Sequence, residues 1–350
     1  MKTDKVEILK KMVRIRMVEQ YIVQRYPEQK MRCPTHLCLG QEAVPAVYGH
    51  IADIKDIFVG TCRSHGHYLA KGGDLAALFA ELLGSPYGCS GGFGGSMHII
   101  DLQKNFWGTS AIVGGGLPIA AGAAFSRKYK KEPGVVVVFF GDAAVEEGAT
   151  YETVNFALLH NLPIIFVCEN NGLAITTPIE LRQCSTTLHN RFLTMGMKSF
   201  YVEENNIAEL TDVAQECYES ARNGLGPTFV EYRVSRWCVH VGHAFEGPVD
   251  SWWKEPISSG KHLCPICVLR DELIQQGAID FSWVRDLRDE LNEEIECAYR
   301  KAQEVSEFPR RDLAEYVYAS GLASRLPVGE CAVGNIRFEH AEQSKLVNAF

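Results

Sequence analysis

The sequence predicts an α/β protein with a doubly wound, mostly parallel sheet and helical extensions at both ends. Three observations in one stretch carry that reading. Val135 to Phe140 is an unbroken apolar, β-branched run of the kind buried on both sheet faces. From about Glu146 to His160 apolar positions recur at helical spacing, with Tyr151, Val154, Ala157 and Leu158 on one side. Pro163 then breaks the chain and Ile164 to Cys168 is a second apolar strand. A strand, helix and strand of this size form a right-handed βαβ unit with parallel strands.

Both strand ends of such a unit open on one sheet edge, where doubly wound proteins bind ligands. The first strand delivers the carboxylate of Asp142 and the second the amide of Asn171, 29 residues later. Between them a helix begins, whose free N–H groups favour an anion. Hard oxygen donors beside an anion site suit Mg²⁺ bound to a diphosphate. Any parallel sheet, though, ends some strands in acids and amides. GDAAVEEG followed by ENN is similar to the thiamine diphosphate motif. By that resemblance Asp142, the Asn171 side chain and the Leu173 carbonyl hold the metal. The N–H groups of Ala143 and Ala144 meet the diphosphate. Ala143 stands where the family often has Gly; it keeps the N–H and needs ordinary backbone angles.

The remaining elements follow in chain order. Lys5 to Tyr26 reads as an amphipathic helix, with Ile8, Leu9, Met12, Ile15 and Val18 on one side. The stretch KKMVRIRMVEQYI within it resembles the opening helix of the alpha subunits of 2-oxo acid dehydrogenases. HLCLGQEAVPAV (residues 36–47) follows a polar turn, with a helix starting near Gln41–Glu42. It resembles the family's His-then-GQEA stretch, which implies that His36 lies near the substrate. Ile57 to Val59 is an apolar patch, and TCRSHG after it reads as a loop at a strand end. Arg63 suits a phosphate, and His65 belongs to a residue type that titrates near neutral pH. The family's equivalent arginine contacts the diphosphate, usually after a Tyr. Here that position is Cys62, so the hydroxyl contact is lost, and Cys62 joins Arg63 in the expected cofactor set.

Gly84 to His98 is too glycine-rich for a regular element, and it opens no helix with G-x-G-x-x-G. It resembles the family's GGSMH loop, which makes His98 a weak candidate for substrate contact. AIVGGGLPIAAG leads into a small-residue helix from Pro118 to Lys128. By resemblance, the main chain of Ala111 and Val113 meets the aminopyrimidine. Ala208 to Arg222 reads as a helix and Pro227 to Val234 as a strand. His243 then matches a Gly-His pair on a loop that closes over the phosphates, with His240 second. The loop's usual serine is Ala244 here, which excludes phosphorylation at that position. Residues 256–350 read as helical, including VLRDELIQQGAI and WVRDLRDELNEEIECAYRKAQ with their alternating charges. EFPRRDLAEYVYA resembles the family's closing segment, and the last twenty residues give no reading.

The chain's 350 residues are read as one domain, a core of about 30–255 with a helical C-terminal extension of about 256–320. At 46% apolar and 22% charged the composition is globular. A net charge of −8 argues against a general nucleic-acid surface. No apolar run is long enough to span a bilayer, and MKTDKVEILKK lacks a signal-peptide core. A cytoplasmic location is therefore expected, with the twelve cysteines as reduced thiols. Cys264-Pro-Ile-Cys267 has no second pair at zinc-binding spacing, although His262 is close, so no structural zinc is expected.

The resemblance covers roughly residues 5–320 and is to the alpha subunit of the thiamine diphosphate-dependent component of 2-oxo acid dehydrogenases, a group including acetoin dehydrogenase. It implies the thiamine diphosphate-binding fold, with thiamine diphosphate and Mg²⁺ as cofactors. It implies oxidative decarboxylation of a 2-oxo acid, or acetoin cleavage, with acyl transfer to a lipoyl group. His36, His65 and His243 are then the catalytic candidates. The glutamate that activates the cofactor comes from a separate beta subunit, so an α₂β₂ heterotetramer is expected. A lipoyl-bearing acyltransferase is a further partner; nucleic acid and membrane are not. Three alternatives stay open: a thiamine enzyme without a lipoyl complex, a nucleotide-binding α/β protein, and a silent scaffold.

Overall fold

The computed structural model describes residues 2–31, 33–245 and 264–305. The closing-segment reading, the last twenty residues and His262 lie outside them. All described residues belong to one compact unit, residues 1–307.

The chain opens with helix α1 (Lys2–Arg25) and α2 (Ala43–Ile51), then strand β1 (Ile57–Thr61), α3 (His65–Ala70) and α4 (Leu75–Leu82). Next come β2 (Phe106–Ser110), α5 (Gly116–Lys130) and β3 (Val136–Gly141). A 3₁₀ turn over Asp142–Glu146 leads into α6 (Gly148–Leu159), then β4 (Ile164–Asn170). A small hairpin, β5 (Leu173–Ala174) and β6 (Thr177–Pro178), precedes α7 (His189–Thr194), β7 (Lys198–Val202), α8 (Ile207–Arg222) and β8 (Thr228–Arg233). Helices α9 (Pro265–Gln275) and α10 (Phe281–Glu304) follow.

The main sheet runs β2-β1-β3-β4-β8-β7, and every neighbouring pair is parallel. From β1 the chain moves outward to β2, then returns to place β3 on the other side. The topological switch point therefore lies between the C-terminal ends of β1 and β3, the position where such sheets bind ligands. Register finishes the placement. β3 and β4 pair from Val136↔Ile164 to Gly141↔Glu169, so Asp142 emerges level with Asn170 and Asn171.

The two central strands are apolar up to their C-terminal ends because both their faces are covered. Val137, Phe139, Ile165, Val167, Val230 and Tyr232 point into a core shared with α1, α2, α4, α8, α9 and α10. Val136, Val138, Phe140, Ile164, Phe166 and Phe229 point the other way, into a second core under α5, α6 and α7. This alternation is the period of two along a strand. The helices at the two ends of the described chain share one core, in which Tyr21 of α1 packs edge-on against Tyr299 of α10 at 5.3 Å.

Candidate functional site

A cavity of about 440 Å³ opens at the switch point. Cys62 and Arg63 reach it from the end of β1, and Ala111 and Val113 from the end of β2. Asp142, Ala143 and Ala144 come from the end of β3, and Asn171 and Leu173 from the end of β4. Gln41, Glu169, Arg236 and His240 complete much of the wall. A wider depression of about 850 Å³ lies at the opposite edge of the sheet, beside Asp56, Arg127 and Arg222. Of the acids that line it, Asp56 is already held by the Val135 N–H at 2.8 Å and by Arg222 at 2.9 Å.

Asp142 is 1% exposed and its Oδ2 pairs with Arg182 Nη2 at 2.5 Å. Arg182 also pairs with Glu146 and donates to the Thr177 carbonyl. Burial pushes the Asp142 carboxyl up, against the pull of Arg182. The turn that follows Asp142 is an ordinary right-handed 3₁₀ turn, and Ala143 has no positive φ. That geometry is why Ala serves there. Of the two asparagines, Asn170 is committed to the fold: it donates to Glu231 and accepts from the Gly172 N–H and Arg233. Asn171 is half-buried on the cavity wall, with Oδ1 accepting from the Leu173 N–H at 3.0 Å.

Arg63 is 9% exposed, and among the described residues it has no carboxylate within ion-pair reach. Its guanidinium donates to the Leu37 carbonyl at 2.5 Å and to the His240 carbonyl at 3.2 Å. Its Nη2 also lies 3.4 Å from His240 Nδ1, so its partners are neutral groups, and a buried cation held by neutral groups on a cavity wall is suited to an anion. Burial lowers its pKa, and Arg236 across the cavity adds to this. Arg236 is held by the Ile175 carbonyl at 2.7 Å.

The three histidine candidates fall in three different places. His36 is buried, its ring edge-on to His240 at 4.9 Å. Burial, followed by the nearby Arg63, holds His36 down to about 3 and His240 down to about 4, so both are neutral at pH 7. His36 Nδ1 has no hydrogen-bond partner among the described residues. His65 is wholly buried between Glu19 and Ser96, with Nδ1 at 2.8 Å and Nε2 at 2.9 Å. Both ring nitrogens are thus used, and neither faces the cavity. His243 is exposed, its ring 5.5 Å from that of Tyr26 and away from the cavity wall, where His240 stands instead. His98 is also exposed and off that wall.

Three residues at the site escaped the sequence reading: Gln41 and Arg236 on the wall, and Arg182, which pairs with the wall residue Asp142. Gln41 is 3% exposed, and its Nε2 is a buried donor with no partner among the described residues. It lies inside the GQEA stretch that was read only for its histidine. It is presented to the cavity because Gly40 adopts φ +89°, where a side chain would collide with the Ser235 carbonyl and the Trp237 ring. Arg182 and Arg236 carry no local pattern that marks them. Among the described residues no three His, Cys, Asp or Glu side chains cluster to bind a metal. The oxygen set Asp142, Asn171 and Leu173 contains one carboxylate, as Mg²⁺ sites completed by phosphate oxygens do.

The family model described as "Dehydrogenase E1 component" matches residues 10–309. The chain is 35% identical over 315 residues to the alpha subunit of acetoin:2,6-dichlorophenolindophenol oxidoreductase from Bacillus subtilis (strain 168), covering 89% of this chain and 92% of that one. It is 33% identical over 326 residues to the chloroplastic pyruvate dehydrogenase E1 component subunit alpha-3 of Arabidopsis thaliana, covering 91% and 75%. It is 31% identical over 321 residues to the pyruvate dehydrogenase E1 component subunit alpha of Zymomonas mobilis, covering 91% and 88%.

Proposed function

This chain belongs to the dehydrogenase E1 component family, and on that premise we propose that the switch-point cavity is where it holds the diphosphate end of its cofactor. It is an E1 alpha subunit, an oxidoreductase of the 2-oxo acid dehydrogenase type that depends on thiamine diphosphate. The observation that carries the site assignment is the convergence on one cavity of a buried Arg63 without an acid partner among the described residues and of Asp142, Asn171 and Leu173. The donor chemistry fits the cofactor: a cationic side chain for phosphate, and hard oxygens at adjoining strand ends for Mg²⁺.

When bound, thiamine diphosphate supplies the electron sink that decarboxylation needs. The protein's part is to bind and orient. Arg63 would neutralise phosphate charge, and Ala143 and Ala144, at the start of the turn, line the same cavity. Asp142, the Asn171 amide and the Leu173 carbonyl would hold Mg²⁺, and Arg182, which pairs with Asp142, would have to release it. Gln41 offers a neutral hydrogen-bonding group at the wall, suited to a substrate carboxylate or oxo group, and His36 lies behind it against His240. His240 contacts Arg63 and limits its freedom. His65 acts through Ser96 and positions the glycine-rich loop. His243 acts only if its loop moves, since its ring lies away from the wall.

A beta subunit completes the site in this proposal, supplying the activating glutamate within an α₂β₂ heterotetramer, with a lipoyl group as acyl acceptor. Supporting this, the cavity wall exposes large apolar side chains, Ile112 at 74% and Val113 at 54%, and Ile119 on the first turn of α5 is 59% exposed. Further along α5 and α6, Phe125, Tyr129 and Phe156 form an exposed ring cluster. Apolar surface of this kind is a partner's footprint. The test is calorimetry of the chain with thiamine diphosphate and Mg²⁺, alone and with a co-expressed beta chain. Micromolar, Mg²⁺-dependent binding that tightens with the partner is expected. No binding in either state would overturn the assignment.

A further inference from the structure

Cys264 and Cys267 take no part in the cavity, and the function above leaves them unused. Cys264 is the N-cap of α9, Pro265 opens the helix, and Cys267 stands one turn on. Residues three apart at a helix start lie close enough for a disulfide. The guanidinium of Arg16 is wholly buried and its Nη1 reaches the Cys264 sulfur at 3.6 Å. Cys264 is 4% exposed, whereas Cys267 is half-buried.

We propose that Cys264 and Cys267 are a peroxide-responsive dithiol that closes to a disulfide within the first turn of α9, with Arg16 holding Cys264 as the reacting thiolate. The oxidant is a hydroperoxide, small enough for a buried sulfur. The Cys264 thiolate attacks one peroxide oxygen, the O–O bond breaks, and with one proton the leaving oxygen departs as water. Cys264 is then a sulfenic acid. The Cys267 sulfur attacks Cys264, and its proton leaves with the hydroxide as a second water. Two thiols are oxidised by two electrons, and one hydrogen peroxide becomes two waters. Cys264 is also pulled down to about 7, first by the Cys267 hydrogen bond and also by Arg16, against its burial. A thiolate fraction near neutral pH is what such reactivity requires.

The dithiol is wired to the cavity wall. Arg16 donates to Glu42 from Nε and Nη2, at 2.5 and 2.9 Å, and lies 4.2 Å over the Trp237 ring. Glu42 in turn accepts the Gly40 N–H at 3.0 Å, beside Gln41. Forming the disulfide removes the anionic sulfur from Arg16 and leaves Glu42 as its single acid in this contact.

The test is peptide mass spectrometry of the full chain after hydrogen peroxide and alkylation. Expected is one peptide, containing both cysteines, that is 2 Da lighter and unalkylated at both, and that dithiothreitol restores. The exposed Cys184 and Cys297 serve as internal controls. In Cys267→Ser, dimedone is expected to label Cys264, where the reaction stops at the sulfenic acid. Full alkylation of Cys264 and Cys267 under peroxide that already modifies Cys184 would overturn the proposal, as would a Cys267→Ser protein with no dimedone adduct at Cys264.

Discussion

Glu81 is a charged residue near the end of α4 that nothing in its local sequence distinguishes, yet it is wholly buried and holds the glycine-rich loop. Its Oε1 accepts from the Gly94 and Gly95 N–H groups at 2.7 and 3.0 Å. Its Oε2 accepts from Ser90 and Gly92, both at 2.8 Å. Glu81→Gln keeps the shape and removes half of the accepting capacity. One amide oxygen can serve one pair of N–H groups; the NH₂ then meets the other pair donor to donor. Two hydrogen bonds to a charged acceptor are lost, at about 1.5–3 kcal/mol each, so about 3–6 kcal/mol in all. That is about a 10²–10⁴-fold rise in the open population of the loop. Native-state hydrogen exchange over residues 84–98 reads it directly, up to the limit set by global unfolding. The disturbance is expected to spread to His36, whose N–H is held by Ser96 Oγ at 3.2 Å. If exchange over the loop changes less than threefold in the folded variant, the carboxylate does not hold the loop and the reasoning fails.

Four further outcomes are expected. Asp142→Asn keeps the side chain's shape, and cofactor binding that depends on Mg²⁺ should weaken at least about 100-fold with an unchanged circular dichroism spectrum; equal affinity would remove Asp142 from the metal set. Arg182→Gln takes a competing cation off Asp142, and Mn²⁺ affinity measured by electron paramagnetic resonance should rise by about 10- to 100-fold, matching about 1.5–3 kcal/mol; unchanged affinity would mean Arg182 does not compete. Glu42→Gln breaks an ion pair in which both side chains are 0% exposed, and urea unfolding should show a loss of about 3–5 kcal/mol; a loss below about 1 kcal/mol would place that pair energetically with surface ones. For pH, His36 and His240 are depressed in the folded state, to about 3 and about 4, while an unfolded imidazole titrates near 6.5. The unfolded chain then binds more protons below about pH 6.5, so this contribution is complete above that pH and is lost as pH falls toward 4 and 3. Urea midpoints should drop across that window, less so in His36→Asn; identical slopes for the two proteins would count against His36.

The central unit was legible because its strands are buried on both faces, which leaves no polar residue to interrupt the pattern. The ligand ends were legible for the same reason: Asp142 and Asn171 stand where the apolar runs stop. The expected helix limits shifted by a few residues, as with α6, which begins at Gly148 after a 3₁₀ turn. Strands β2 and β7 went unread. Both are sheet edges: Trp107 on β2 is 39% exposed and Tyr201 on β7 is 38% exposed, so the apolar signal is diluted. The buried ion pairs were invisible for another reason. Arg182 meets Asp142 across 40 residues and Arg16 meets Glu42 across 26, and no periodicity encodes such distances. His65 looked like a titrating group because its partners, Glu19 and Ser96, come from a helix and a loop far from it in sequence.

The switch point also sets an order of events during synthesis. The Val135 N–H joins Asp56 across 79 residues, at the start of the contact between β1 and β3. At about 5–20 residues per second, some 4–16 s of translation separate the two partners. Throughout that interval the apolar segment Ile57–Thr61 has no neighbour on its β3 side, and an unpaired strand edge is a template for wrong pairing. The nascent chain must therefore carry β1 shielded, by its own helices or by a chaperone, until β3 emerges.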